Sequence, residues 1–188
     1  IAEMQAVDKV PHLPAQVVAL DVTPSFRSIL LDQGRDDGVR PGHPVLVQEG
    51  LVGLLTAVSG GASRTMLLLD RQSAVSAVVQ RSRIRGLVRG RGTEFLDFEF
   101  EARGGDVQSG DVIVTSGLGG VYPKGLRIGR VEQVADAGGH LLATARVHPA
   151  VDFGSLEHVS VLLRRAPSMA LLHGDSDPQG PDNAQASR

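Results

Sequence analysis

From residue 16 onward, apolar positions fall in short runs bounded by glycine, proline, aspartate and serine. The runs cover residues 17–22, 28–32, 45–48, 51–58, 65–69, 75–79, 84–89, 95–101, 112–115, 127–134, 141–148 and 159–163. Runs of about four to eight residues between turn formers are strand length, and about twelve are present on that criterion. Alternation is clearest where Leu96, Phe98 and Phe100 interleave with Asp97, Glu99 and Glu101, and where Val159, Val161 and Leu163 interleave with Ser160 and Leu162. Such a pattern predicts one buried and one wet face. No window after Pro14 repeats with a helical period, so the crossover helices of a parallel sheet are missing and the class is all-β. Ahead of the strands, Ile1, Met4 and Val7 share one side of a short helical remnant that Pro11 and Pro14 stop.

One segment of the chain occurs twice. Residues 38–47 (GVRPGHPVLV) align with 106–115 (DVQSGDVIVT), placing Gly42 on Gly110 and Val45 on Ile113, and each copy runs on into a glycine-rich turn, at Gly50 and at Gly117, Gly119 and Gly120. Twelve strands in two copies divide most simply into two tandem six-stranded β-barrels, because closure removes exposed edges. The expected organisation is 1–13 as the end of a truncated helix and linker, 14–82 as the first barrel, 83–165 as the second and 166–188 as a disordered tail. The tail is rich in Gly, Asp, Ser, Pro, Gln and Asn.

Composition narrows the chemistry. The 188 residues include no cysteine, which removes disulfides and thiolate sites, and a net charge of −2 provides no global field for nucleic acid or an anionic membrane. The stretch 115–131 (TSGLGGVYPKGLRIGRV) has the glycine density of a phosphate loop, but Lys124 precedes Gly125 where a P-loop needs lysine after the second glycine. Tyr122 also stands where a dinucleotide fingerprint needs its third glycine. The better reading is structural: Tyr122, Pro123, Lys124 and Gly125 suit a solvent-facing type I turn. The order His43, Asp70, Ser116 matches the triad order of chymotrypsin-like two-barrel serine proteases, yet Val114 and Thr115 replace the glycine-containing approach to that nucleophile. His140, His148 and His158 have no ligand spacing, and the Asp36–Asp37 pair sits in a turn. No cofactor is implied.

Arg81, Arg83, Arg85, Arg89 and Arg91 share one parity and would line one face of an extended strand. Arg85, Arg89 and Arg91 form the candidate interaction stripe for an acidic partner. The competing reading is a hairpin about Thr93 in which Asp97 answers Arg89 and Glu101 answers Arg85.

Residues 24–45, 50–53 (GLVG), 85–90 (RGLVRG), 110–131 and 149–159 (PAVDFGSLEHV) closely resemble, in order, the bacterial rod-shape-determining MreC family. The resemblance runs from about residue 17 to 163. It implies a non-enzymatic periplasmic scaffold of the cell-elongation machinery that organises peptidoglycan-synthesis proteins, held at the inner membrane by a single-pass anchor absent from this sequence. Implied partners are the elongation penicillin-binding protein, other rod-complex membrane proteins including a glycosyltransferase, and the chain itself as dimer or filament, with a link to the actin-like cytoskeleton.

Overall fold

The structure, a computed structural model, describes residues 9–23, 26–135 and 138–164. The expected helix end at 1–10 falls almost wholly outside these residues, and the tail at 166–188 falls entirely outside them. Twelve strands are described: β1 (His12–Val22), β2 (Arg27–Leu31), β3 (Pro44–Val47), β4 (Gly50–Val58), β5 (Ser63–Leu67), β6 (Ala74–Val79), β7 (Arg85–Gly90), β8 (Leu96–Glu101), β9 (Val112–Thr115), β10 (Arg127–Val134), β11 (Leu142–Pro149) and β12 (His158–Leu162). Two short 3-10 turns, Arg35–Asp37 and Phe153–Ser155, are the helical elements among the described residues.

The strands close into two antiparallel barrels, ordered β1-β12-β3-β4-β5-β2 and β10-β11-β8-β7-β6-β9. Their neighbour relations are identical when β1 to β6 are matched in order with β7 to β12. The local geometry repeats as well. Gly42 N–H donates to the Leu55 carbonyl at 2.8 Å and Leu55 N–H returns to His43 O at 3.0 Å, while Gly110 N–H donates to Val131 O and Val131 N–H returns to Asp111 O, both at 2.8 Å. Both glycines need the left-handed region, with φ of 89° and 92°. A bulge follows in each copy, between Leu55 and Ala57 against β5 and between Val131 and Gln133 against β11.

The division into two consecutive six-strand copies therefore holds for the repeat but not for the barrels in space. The expected domain limits put β6 in the first barrel and β12 in the second, whereas β6 pairs with β7 and β9 and β12 pairs with β1 and β3. Each copy gives its sixth strand to the other copy's barrel. The two crossing connections, residues 68–73 and 150–157, carry the same turn. Asp70 Oδ1 accepts from Gln72 N–H at 2.8 Å and Asp70 O accepts from Ser73 N–H at 3.0 Å. Asp152 Oδ1 accepts from Gly154 N–H at 3.0 Å and Asp152 O from Ser155 N–H at 3.3 Å. Short aspartate side chains make such turns by replacing a backbone acceptor.

Exchange also fuses the cores. Val45, Val52, Val159 and Val161 point into the first barrel, while their strand neighbours Leu46, Leu51 and Leu162 join the second barrel's cluster with Leu68 and Leu69 from the first crossing. Phe153, on the second crossing, packs against both clusters. The expectation of a wet face on β12 fails here: Ser160 is half-buried but Leu162 is wholly buried, because the second barrel covers the outside of that strand. Gly50 opens β4 instead of making a turn, and a Cβ there would lie 2.4 Å from the Arg127 carbonyl oxygen on β10. The Tyr122–Gly125 segment is likewise not wholly solvent-facing. Tyr122 and Pro123 are buried and Lys124 is exposed, since Thr115 draws the segment inward by donating to Pro123 O at 2.5 Å and accepting from Leu126 N–H at 2.9 Å.

Leu162→Ala is expected to cost about 2–5 kcal/mol, the range for truncating a buried leucine. Leu142→Ala, at a 61% exposed site, should stay within about 0.5 kcal/mol. Urea unfolding of both variants checks the contrast, and equal small losses would contradict a packed seam between the barrels.

Candidate interaction surface

The arginine stripe begins in the β6–β7 turn. Arg81 grips two carboxylates there: Nε and Nη2 donate to Asp111 at 2.8 and 3.0 Å, and Nη1 and Nη2 donate to Asp106 at 2.6 and 3.0 Å. Its guanidinium holds both carboxyls below their ordinary value of 3.8, chiefly through these hydrogen bonds, and the Arg81 pKa is raised in turn. Asp111 also accepts from Gln108 N–H at 2.9 Å, as His43 Nδ1 accepts from Arg40 N–H in the matching turn of the first barrel.

Farther along, the β7–β8 register places Arg89 opposite Asp97, as the hairpin reading requires. The ion pairs are diagonal instead: Arg89 Nε meets Glu99 Oε2 at 3.1 Å, and Arg91 meets Asp97 at 2.6 Å and Glu99 at 3.3 Å. Long side chains on a twisted sheet reach the next residue of the same face, which explains the offset. Arg85 is exposed and, among the described residues, makes no ion pair; the expected Arg85–Glu101 pair does not form. The stripe is thus not a uniform row of uncompensated charge.

The triad-ordered residues serve turns. Asp70, buried at the first crossing, accepts from Arg27 N–H at 2.7 Å as well as from Gln72. Ser116 Oγ accepts from Leu118 N–H at 3.2 Å at the end of β9 in the second barrel, and buried His43 caps the turn into β3 in the first. Of the glycines and proline read as turn residues, Gly42, Gly110, Gly117, Gly119, Gly120 and Gly125 all have positive φ, while Gly50 and Pro123 take the packed positions described above.

An open feature lies at the junction of the barrels. A cleft of about 870 Å³ is lined by Leu20, Arg27, Leu69, Glu94, His148 and Phe153, among others. Arg27 spans it, donating from Nη2 to Gly92 O at 2.7 Å across the two barrels. Beside the cleft, Val18, Leu20 and Phe26 of the first hairpin are 55%, 52% and 52% exposed. Sequence reasoning missed this surface, although the unbroken apolar run 17–20 was its signal: past the bulge between Val17 and Ala19, Val18 and Leu20 are exposed among the described residues, with Leu20 registered on Ile29 at the mouth of the cleft.

Two strand-exchanged barrels with an apolar strip beside their junction define an all-β protein built as one two-lobed body. A family model for rod shape-determining protein MreC, barrel core, matches residues 17–163. The chain belongs to the MreC family. It is 37% identical over 154 residues to a cell shape-determining protein MreC of Cereibacter sphaeroides, covering 82% of this chain and 49% of that protein. The chain thus spans about half the length of that relative. The crystal structure of MreC from Pseudomonas aeruginosa matches with a TM-score of 0.77 at 30% identity, over 81% of this chain and 99% of that one. A chain in a structure described as a complex between penicillin-binding protein PBP2 and MreC from Helicobacter pylori matches at TM-score 0.67 and 17% identity, over 84% and 100% of the two chains, which shows the shared fold.

The Arg81 cluster gives a signed pH dependence. Carboxyls lowered in the folded state contribute stability that is present above their ordinary value and lost as pH falls through the lowered ones. Arg81→Gln is therefore expected to lower the urea midpoint near neutral pH, with the gap to the parent chain closing as the pH falls below the ordinary carboxyl value of 3.8 and through the lowered ones. A gap independent of pH would contradict it. Arg89→Gln combined with Arg91→Gln removes exposed pairs and should cost about 1 kcal/mol or less in the same assay.

Proposed function

We propose that this chain is a non-enzymatic scaffold of the cell-elongation machinery, working on the periplasmic face of the bacterial inner membrane to hold peptidoglycan-synthesis proteins together and so maintain rod shape. The observation that carries the reading is the family match across both barrels, residues 17–163. The site chemistry agrees: His43, Asp70 and Ser116 each accept backbone hydrogen bonds that hold turns and the barrel junction in place. The elongation penicillin-binding protein is the proposed first partner, and the Helicobacter pylori complex of a relative with PBP2 supports that choice. Other rod-complex membrane proteins and further copies of this chain complete the set.

On this body the contact is assigned to the strip Val18, Leu20 and Phe26 and the cleft beside it, since apolar area at the centre of an interface supplies most of its binding energy. Arg81, Arg89 and Arg91 are assigned no share, because each is already answered by carboxylates within the chain, which leaves Arg85 as the one member of the candidate stripe open to an acidic partner.

Titration calorimetry with the purified periplasmic part of the elongation penicillin-binding protein tests this. Leu20→Asp with Phe26→Asp is expected to weaken binding at least about tenfold, or about 1.4 kcal/mol, while Arg89→Gln with Arg91→Gln leaves it unchanged. No measurable binding by the parent chain would defeat the scaffold reading. Covalent labelling of Ser116 by a serine-hydrolase probe would replace it with the protease reading.

A further inference from the structure

The exchange of sixth strands has a consequence between molecules. Within the chain, β6 and β12 each leave their own copy and close the other copy's barrel. β6 is held from both sides, because β5 precedes it in one barrel and β7 follows it in the other. Among the described residues β12 is the last strand of the pair of barrels. A single connection, residues 150–157, tethers it.

That connection is folded on itself at Asp152, whose carboxylate accepts from Gly154 N–H at 3.0 Å and from Ser155 Oγ at 2.9 Å. Asp152, Gly154, Ser155 and Glu157 are exposed, whereas Val151 is buried and Phe153 and Leu156 pack against the cores, so opening the turn frees its exposed side and requires those three side chains to be seated again in the exchanged state. Drawn out, eight residues span about 26–29 Å. The slot β12 leaves is specific: Val159 and Val161 fill the first barrel and Leu162 fills the seam. Its walls are the edges of β1 and β3, registered as Gln16 on His158 and Val45 on Val161. Only a strand with β12's pattern fits, and a second copy of this chain carries one.

We propose that β12 is an exchangeable strand: in contact with a second copy, it enters that copy's first barrel and links the two chains, with residues 150–157 as the hinge. Reciprocal exchange makes a closed dimer, and sequential exchange makes an open chain of copies. Every strand contact is the one seen within the single chain, so the exchanged state needs no new surface. The inference is independent of the scaffold reading, since it concerns closure of the barrel and not the partner bound outside it.

The absence of cysteine makes the test direct. One chain carries Gln16→Cys and a second, of different mass, carries His158→Cys, at exposed positions that face each other across β1 and β12. After the two are mixed at high concentration and oxidised, non-reducing electrophoresis is expected to show a covalent heterodimer, well above the level from Gln16→Cys mixed with Gln133→Cys in the other barrel. A chain carrying both Gln16→Cys and His158→Cys, oxidised beforehand while dilute, should form no heterodimer. Asp152→Ala in the His158→Cys chain should raise the yield about fivefold by freeing the hinge, and Asp152→Asn, which keeps the acceptor for Gly154, should not. Heterodimer at the control level overturns the proposal. A yield indifferent to Asp152→Ala overturns the hinge.

Discussion

An unpaired strand edge presents a row of N–H and C=O groups that must find partners, and closing a barrel is the complete way to supply them. Here closure depends on two strands that cross between copies: the first barrel is shut by β12 and the second by β6. The crossing connections must leave one barrel and enter the other within a few residues, and each does so on an aspartate turn, at Asp70 and at Asp152. The crossings also pull the barrels together until the outer sides of β3, β4 and β12 touch the second barrel, which is why Leu46, Leu51 and Leu162 belong to its core. Even Gly50 follows from this closeness, because the Arg127 carbonyl leaves no room for a Cβ.

Where one face of a strand meets water, the sequence pattern reported the fold well. Leu96, Phe98 and Phe100 are buried and Glu101 is exposed, as alternation on β8 predicts. The duplication was legible at Gly42 and Gly110 because a positive φ in each turn demands glycine. Exchange was not legible, since β6 carries the same inward pattern whichever copy's barrel it closes. Leu162 misled for a related reason: a strand covered on both faces has no wet parity to betray its orientation.

The candidate site was read unevenly. The β7–β8 register could be counted from Thr93, but diagonal pairing depends on side-chain reach and sheet twist, so Arg89 found Glu99 instead of Asp97. His43, Asp70 and Ser116 have the order of a catalytic trio, yet each is explained by the turn it holds. The exposed strip at Val18, Leu20 and Phe26 required knowing which strand faces the second barrel and which faces outward. Shared strands and a shared core join the two barrels into one body, the feature on which the proposed scaffold role draws.

Shared strands make a thermodynamic claim that can be checked in one experiment. Tyr122, the chain's single tyrosine in the absence of tryptophan, is buried in the second barrel and reports its unfolding by fluorescence. Amide hydrogen exchange of β1 to β5, followed by mass spectrometry through the same urea series, reports the first barrel. Because neither barrel can open without surrendering a strand of the other copy, the two probes are expected to give one coincident transition. Two separated midpoints, with Tyr122 exposed while β1 to β5 stay protected, would contradict the account.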